Sequence, residues 1–272
     1  GDIMRLTWED ENLGPIAGGG KDDGKFVWPT AMLMDREENL WVSDEELHRI
    51  TVITREGEFL RKWGEYGDGD GQLNGPSGIA FDADENVYVS DEYLQRITVF
   101  DKDGMFLSRW GEPGSAEGQL KGPSGLAFDS NDDLYVVDSQ NHRGQKFTRD
   151  GQVLGGWGRE GAAEGEFNRP WGLCVDRDDN VYVADWKNDR VQKFTPDGEF
   201  LLQIGDFGRG KEGSSSTEYL GQPTDIFVDP QRDEVYISDG YTNRRVIVFD
   251  ANGIIQPDRS SIVVNMAGLR SD

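Results

Sequence analysis

Short apolar runs of about five residues, each closed by a polar or acidic position, alternate with polar turns along most of this chain. From Pro76, the run Gly78-Ile79-Ala80-Phe81-Asp82 gives way to Ala83-Asp84-Glu85-Asn86. Val87-Tyr88-Val89-Ser90-Asp91 follows, then a polar loop Glu92-Tyr93-Leu94-Gln95, then Arg96-Ile97-Thr98-Val99-Phe100-Asp101. Lys102-Asp103-Gly104 separates that run from Met105-Phe106-Leu107-Ser108-Arg109-Trp110-Gly111. Runs this short, rich in aromatic and β-branched residues, predict strands rather than helices. Gly104 supplies the positive φ that a tight hairpin needs.

The same grammar returns at a fixed interval. Pro29, Pro76, Pro123 and Pro170 each lie 47 residues after the one before, and Pro223 follows after 53. The units run about 28–74, 75–121, 122–168, 169–221 and 222–253. Four antiparallel strands per repeat at this period predict propeller blades in one domain over 1–272. Second strands end in Asp44, Asp91, Asp138, Asp185 and Asp239, each followed five positions later by Arg49, Arg96, Arg143, Arg190 or Arg244. An Asp closing one strand and an Arg opening the next predict a charge-assisted pair across every such loop.

Taken together, Pro-x-Gly-Ile/Leu, Tyr-Val-x-Asp, Asn-x-Arg and the Asp-Gly or Asn-Gly turn resemble the NHL repeat, and Asn141-His142-Arg143 nearly spells its signature. The resemblance covers residues 28 to 253. It implies an all-β, six-bladed propeller with the sixth blade shared by the two termini; the alternatives are an incomplete sixth blade or five blades with docked ends. On that expectation Ile3–Trp8 and Pro15–Gly18 are its third and last strands, and Ser261–Met266 supplies an inner strand.

Composition narrows the partners. Acidic residues number 52 against 28 basic, a formal net charge of −24. Such a field repels phosphate backbones, which argues against nucleic acid, including the RNA recognition that some animal NHL proteins would suggest. Cys174 is the only cysteine, so there is no internal disulfide, and its place in Leu173-Cys174-Val175 reads as an inert buried thiol. No apolar stretch reaches the length of a membrane span and no signal peptide is visible, so the compartment stays open.

What recurs in every repeat builds the scaffold, so function is sought where repeats differ. After the repeat proline stand Thr30, Ser77, Ser124, Trp171 and Thr224, and the next position is Gly or Ala except at Asp225. The loops after the closing Asp add Tyr93, Trp186 and Tyr241. Propellers bind ligands mainly at the mouth of the central channel. Trp171, Trp186, Asp225, Tyr241 and Tyr93 are therefore the expected ligand-binding residues, aromatic faces beside a carboxylate. The expected function is recognition of a protein, peptide or small molecule at that mouth, with no cofactor. The alternative is a calcium- or zinc-assisted hydrolase or lyase with a carboxylate-lined channel. Relatives that cleave peptidyl-hydroxyglycine hold their metal with histidines from several blades, and this chain has only His48 and His142, both just before the repeat Arg. Gluconolactonase-like relatives hold calcium, toward which Asp225 and Asn168 could contribute. Gly205–Glu212 nearly matches a phosphate-binding loop but lacks its Ser/Thr, and Asp82–Asn86 lacks the glycine of a calcium-binding loop. The turns at Asp82, Asp129 and Asp176 read instead as capped by their own side chains.

Overall fold

The computed structural model describes residues 2–6, 12–205, 220–229, 231–240, 243, 245–256 and 262–263. Among these the fold is an all-β propeller of five four-stranded antiparallel sheets, each with its strands in chain order. The second sheet shows the pattern: Pro76–Phe81, Val87–Asp91, Arg96–Phe100 and Phe106–Trp110. Ile3–Leu6 and Asn12–Ala17 form a separate antiparallel pair. Ile262–Val263 corrects one expectation. It pairs with Arg245 and Val246 as the outer strand of the fifth sheet, not as an inner strand of a sixth. The physical reason is an open ladder: Ile255 makes only a single bridge to Phe249, leaving the start of the third strand's outer edge for two β-branched residues.

The described residues divide into two compact units. One holds those up to Val136 with Phe147–Val153; the other holds Val137–Lys146 and those from Leu154 onward. Within each, the core lies between successive sheets. In the first unit Trp41, Ile50 and Val52 pack with Leu73, Ile79, Val87 and Phe100. In the second, Tyr182, Ala184 and Val191 pack with Ile226, Val235, Ile237 and Ile247. Fully burying each such aliphatic side chain contributes roughly 1.5–3 kcal/mol, which is why the second and third strands of a blade carry its apolar residues.

Glycine in the Pro-x-Gly phrase has a steric cause. A Cβ on Gly78 would lie 2.1 Å from the Ser124 carbonyl oxygen of the next blade, and one on Gly172 would lie 2.4 Å from the Thr224 oxygen. First strands therefore touch backbone to backbone. The turn glycine does similar work at the rim: Gly104, at φ 85°, packs on the Trp63 ring of the preceding blade, and Gly151 packs on Trp110. The aspartate turns are side-chain capped as expected. Asp82 Oδ1 accepts the Asp84 and Asn86 N–H groups at 3.0 and 2.8 Å, and Asp176 Oδ1 accepts those of Asp178 and Asn180 at 3.0 and 2.8 Å.

The Asp–Arg pair is real in three blades and absent from two. Arg143 Nε donates to Asp138 at 2.7 Å, Arg190 Nε to Asp185 at 2.8 Å and Arg245 Nε to Asp239 at 2.8 Å. In the fifth blade the partner is thus Arg245, six positions on; Arg244 lies outside the described residues. In those blades an asparagine (Asn141, Asn188 or Asn243) donates to the same oxygen and fixes it beside the guanidinium. The first two blades carry Leu47 and Leu94 at that place. Asp44 and Asp91 there accept backbone N–H groups only, and the Nε of Arg49 and Arg96 is buried without a partner.

The guanidinium has a second task that the sequence did not reveal. Arg49 donates to the carbonyls of Lys21, Asp22 and Lys25, Arg96 to those of Asp68, Gly69 and Gln72, and Arg190 to those of Ala162, Ala163 and Glu166. Each loop so held is followed at once by a wholly buried apolar residue, Phe26, Leu73 or Phe167. The arginine satisfies the loop's carbonyls while that residue plugs the core.

Candidate functional site

The fourth blade places two of the expected residues together. Pro170 opens its first strand and pairs in register with Asp185, which closes its second. Trp171 and Trp186, the next residue along each, therefore flank one ladder rung. Their ring centroids lie 6.4 Å apart at 58°, and both side chains are half-buried. The Lys187 ammonium sits 4.0 Å from the Trp186 ring centroid, so that indole already serves as a cation seat. A single 3₁₀ turn, Trp186–Asn188, presents them, ending at Asp189 in the left-handed region.

Asp225 joins this group through Gly172. A Cβ on Gly172 would lie 2.9 Å from Asp225 Oδ1, so the carboxylate rests on the residue beside Trp171. Asp225 is open to solvent at its side chain, yet surrounding protein displaces enough bulk water to push its carboxyl up to about 6. Its only countering bond comes from the Ile226 N–H at 2.9 Å. Solvent access and a raised pKa let this group meet a ligand in either protonation state. Burial, with Asp225 and Asp176 nearby, pushes the Cys174 thiol well up, so it is an unreactive neighbour.

The remaining expected residues divide. Tyr241 lies outside the described residues. Tyr93 belongs to the other compact unit, where it is 55% exposed. It covers Gly75 and donates from its hydroxyl to Glu45 Oε1 at 2.7 Å, a bond that pushes the phenol up to about 12. That geometry ties the second-to-third-strand loops of two neighbouring blades. The histidines are likewise structural: His48 Nδ1 donates to the Asn74 carbonyl at 2.6 Å, and His142 Nδ1 accepts the Arg169 N–H at 3.1 Å. Asn168 spends its N–H on Asp185 at 2.7 Å. Among the described residues no three His, Cys, Asp or Glu side chains gather as a metal centre. The seat that Gly172 provides was not read from sequence, because glycine recurs at that position in three blades. The signal for it was Asp225 itself, which breaks the small-residue column one blade later.

The NHL repeat model matches residues 120–147 and 167–194, which take in the first three strands of the third and fourth blades. Peptidylglycine alpha-amidating monooxygenase of Rattus norvegicus is 39% identical over 46 residues, 17% of this chain, and the Mus musculus protein matches equally. The chain spans only 5% of the length of these relatives. Three solved structures share the fold. A gluconolactonase from Xanthomonas campestris matches at TM-score 0.62 and 19% identity, covering 87% of this chain and 75% of that one. Virginiamycin B lyase from Staphylococcus aureus with quinupristin gives 0.60 and 15%, covering 88% and 71%. A Bacteroides thetaiotaomicron protein of unknown function gives 0.64 and 22%, covering 89% and 65%. The repeat grammar, the four-stranded sheets and these matches converge: the chain is a β-propeller that carries NHL repeats.

Proposed function

We propose that this chain is a recognition module that binds a protein, peptide or small-molecule ligand where first strands begin and second strands end. The observation that carries the reading is the Trp171–Trp186 pair with Asp225 against its Gly172 neighbour. Paired aromatics next to a solvent-facing carboxylate suit a ligand with a cationic or donor-bearing head and an apolar body. The same reading takes the two-stranded N-terminal sheet as the outer half of a sixth blade. Its support is Gly57, which packs on the Ile16 backbone as Gly104 packs on Trp63. The test is selection of a displayed peptide library on the wild-type chain, followed by Trp171→Ser with Trp186→Ala. Serine already stands at the matching place in two blades, so the thermal midpoint should move little. Binding should fall at least about tenfold. Unchanged affinity would overturn the site assignment.

A second reading is favoured by the enzymes among the structural neighbours: a hydrolase or lyase in which Asp225 moves a proton near neutral pH, assisted by calcium or zinc. Asp225 also predicts a pH signature. Its folded pKa lies above the unfolded value, so the native state holds this proton more tightly and its contribution to stability is full below about pH 4. That contribution fades as pH rises to about 6. Asp225→Asn should flatten this limb in a thermal-midpoint series from pH 4 to 7. Retention of zinc or calcium after dialysis by wild type, lost in Asp225→Asn, would favour catalysis over recognition.

A further inference from the structure

The second blade combines an unpaired arginine with a second guanidinium on its fourth strand. An open cleft of about 410 Å³ is lined by Asp68, Leu94, Arg96, Arg109, Trp110 and Gly111. Arg96 is only 8% exposed, and its Nε is buried without a hydrogen-bond partner, as is the Thr98 hydroxyl two residues along the same strand. Leucine in place of asparagine at Leu94 leaves Asp91 hydrogen-bonded to the backbone N–H groups of Asn74, Gly75 and Leu94, so its carboxylate acts on the guanidinium through charge alone, without a hydrogen bond. Arg109 stands on the adjacent fourth strand, near enough that its charge helps hold Arg96 below the ordinary arginine range, after burial itself.

The fourth blade shows what belongs there. Gln203 occupies the position of Arg109, and its Oε1 accepts from Arg190 Nη1 at 2.9 Å. An oxygen faces the guanidinium in that blade. In the second blade a second guanidinium replaces the oxygen, and two like charges face an open cleft. The first blade has Lys62 at this place, already paired with Asp23, and the third has Gly156. Three acids temper the second-blade site: the Asp91 charge acts on Arg96, Arg109 Nε lies 3.4 Å from Asp70, and Asp68 lines the cleft. Arg96 and Arg109 Nη1 donate to the Asp68 carbonyl at 2.9 and 2.7 Å, so one backbone oxygen joins the two guanidinium groups.

We propose that the cleft between Arg96 and Arg109 is a binding site for a compact oxyanion, a carboxylate or phosphate group that supplies the oxygen Gln203 supplies in the fourth blade. A planar or tetrahedral oxyanion accepts from both guanidinium groups and relieves their repulsion. The net charge of −24 excludes an extended polyanion and leaves a small, singly presented group.

The test is the thermal midpoint of the full chain in inorganic phosphate, in acetate and in chloride at matched ionic strength and pH. Phosphate or acetate should raise the midpoint above chloride, and the responding anion identifies the geometry of the ligand. The variant Arg109→Gln copies the fourth-blade arrangement and should fold with an unchanged chloride midpoint. Its affinity for the responding anion, fitted from the concentration series, should fall at least about tenfold. Asp70→Asn removes the competing carboxylate and should tighten binding. Equal midpoints for wild type in all three salts would overturn the site, as would an undiminished response in Arg109→Gln.

Discussion

Asp185→Ala should destabilise the chain by about 3–5 kcal/mol, because it removes the only carboxylate bonded to a buried guanidinium and takes a partner from three further donors. Asp185 has no solvent exposure. It accepts the Asn168 N–H at 2.7 Å, the Asn188 side chain and Arg190 Nε each at 2.8 Å, and Gln192 at 3.4 Å. Burial pushes its carboxyl above the ordinary carboxylate range, and the bonds from Asn168, Asn188 and Arg190 offset only part of that rise. Urea unfolding followed by tryptophan fluorescence measures the loss. Asp91→Ala is the informative comparison. It removes backbone hydrogen bonds but no ion pair, so its cost should be smaller. If the two variants lose equal stability, the asparagine-fixed ion pair contributes nothing beyond loop capping.

Gly78→Ala should be the other severe change, with a loss of about 1–3 kcal/mol or more from overpacking. The new methyl would meet the Ser124 oxygen at 2.1 Å and the Ser90 hydroxyl at 3.0 Å. The first of these is backbone, which yields only if two first strands separate. Alanine stands at the matching place in the first blade, as Ala31, whose N–H donates to Ser43 Oγ at 3.0 Å as that of Gly78 donates to Ser90 Oγ at 2.7 Å. A thermal midpoint for Gly78→Ala within a degree of wild type would show that neighbouring strands slide freely.

The periodic part of this molecule was legible in its sequence because each strand is short and its apolar rhythm local. Pro76, Tyr88, Asp91 and Gly104 mark strand starts, core positions and turns within a few residues of one another. The candidate site was legible to the extent that it broke the rhythm: Trp171 and Asp225 departed from small-residue columns, and the structure brings them to either side of Gly172. Tyr93 departed from the pattern too, but its surroundings make it a tie to Glu45. What stayed hidden was set across longer range. The Asp–Arg pair depends on whether Asn188 or Leu94 stands between them, and no rule about Asp and Arg alone carries that information. The fifth-blade shift to Arg245 was visible in the phrase Asn243-Arg244-Arg245, since Asn-x-Arg outranks the five-residue spacing. The place of Ile262–Val263 depended on which ladder edge was left open, a fact about partners rather than about those two residues.

The arginine grip on the preceding loop redraws where one cooperative piece of the chain stops and the next begins. Arg96 reaches back 28, 27 and 24 residues to Asp68, Gly69 and Gln72, and Arg190 reaches back 28, 27 and 24 to Ala162, Ala163 and Glu166. The loop thus belongs energetically to the blade it leads into, and its buried plug, Leu73 or Phe167, closes that same blade. Units that open together should therefore be bounded near Trp63, Trp110 and Trp157, not at the repeat prolines. Amide hydrogens of Gly69 and Leu73 would exchange in step with those of Ile97 and Val99, although the proline between them marks the boundary in the written repeat.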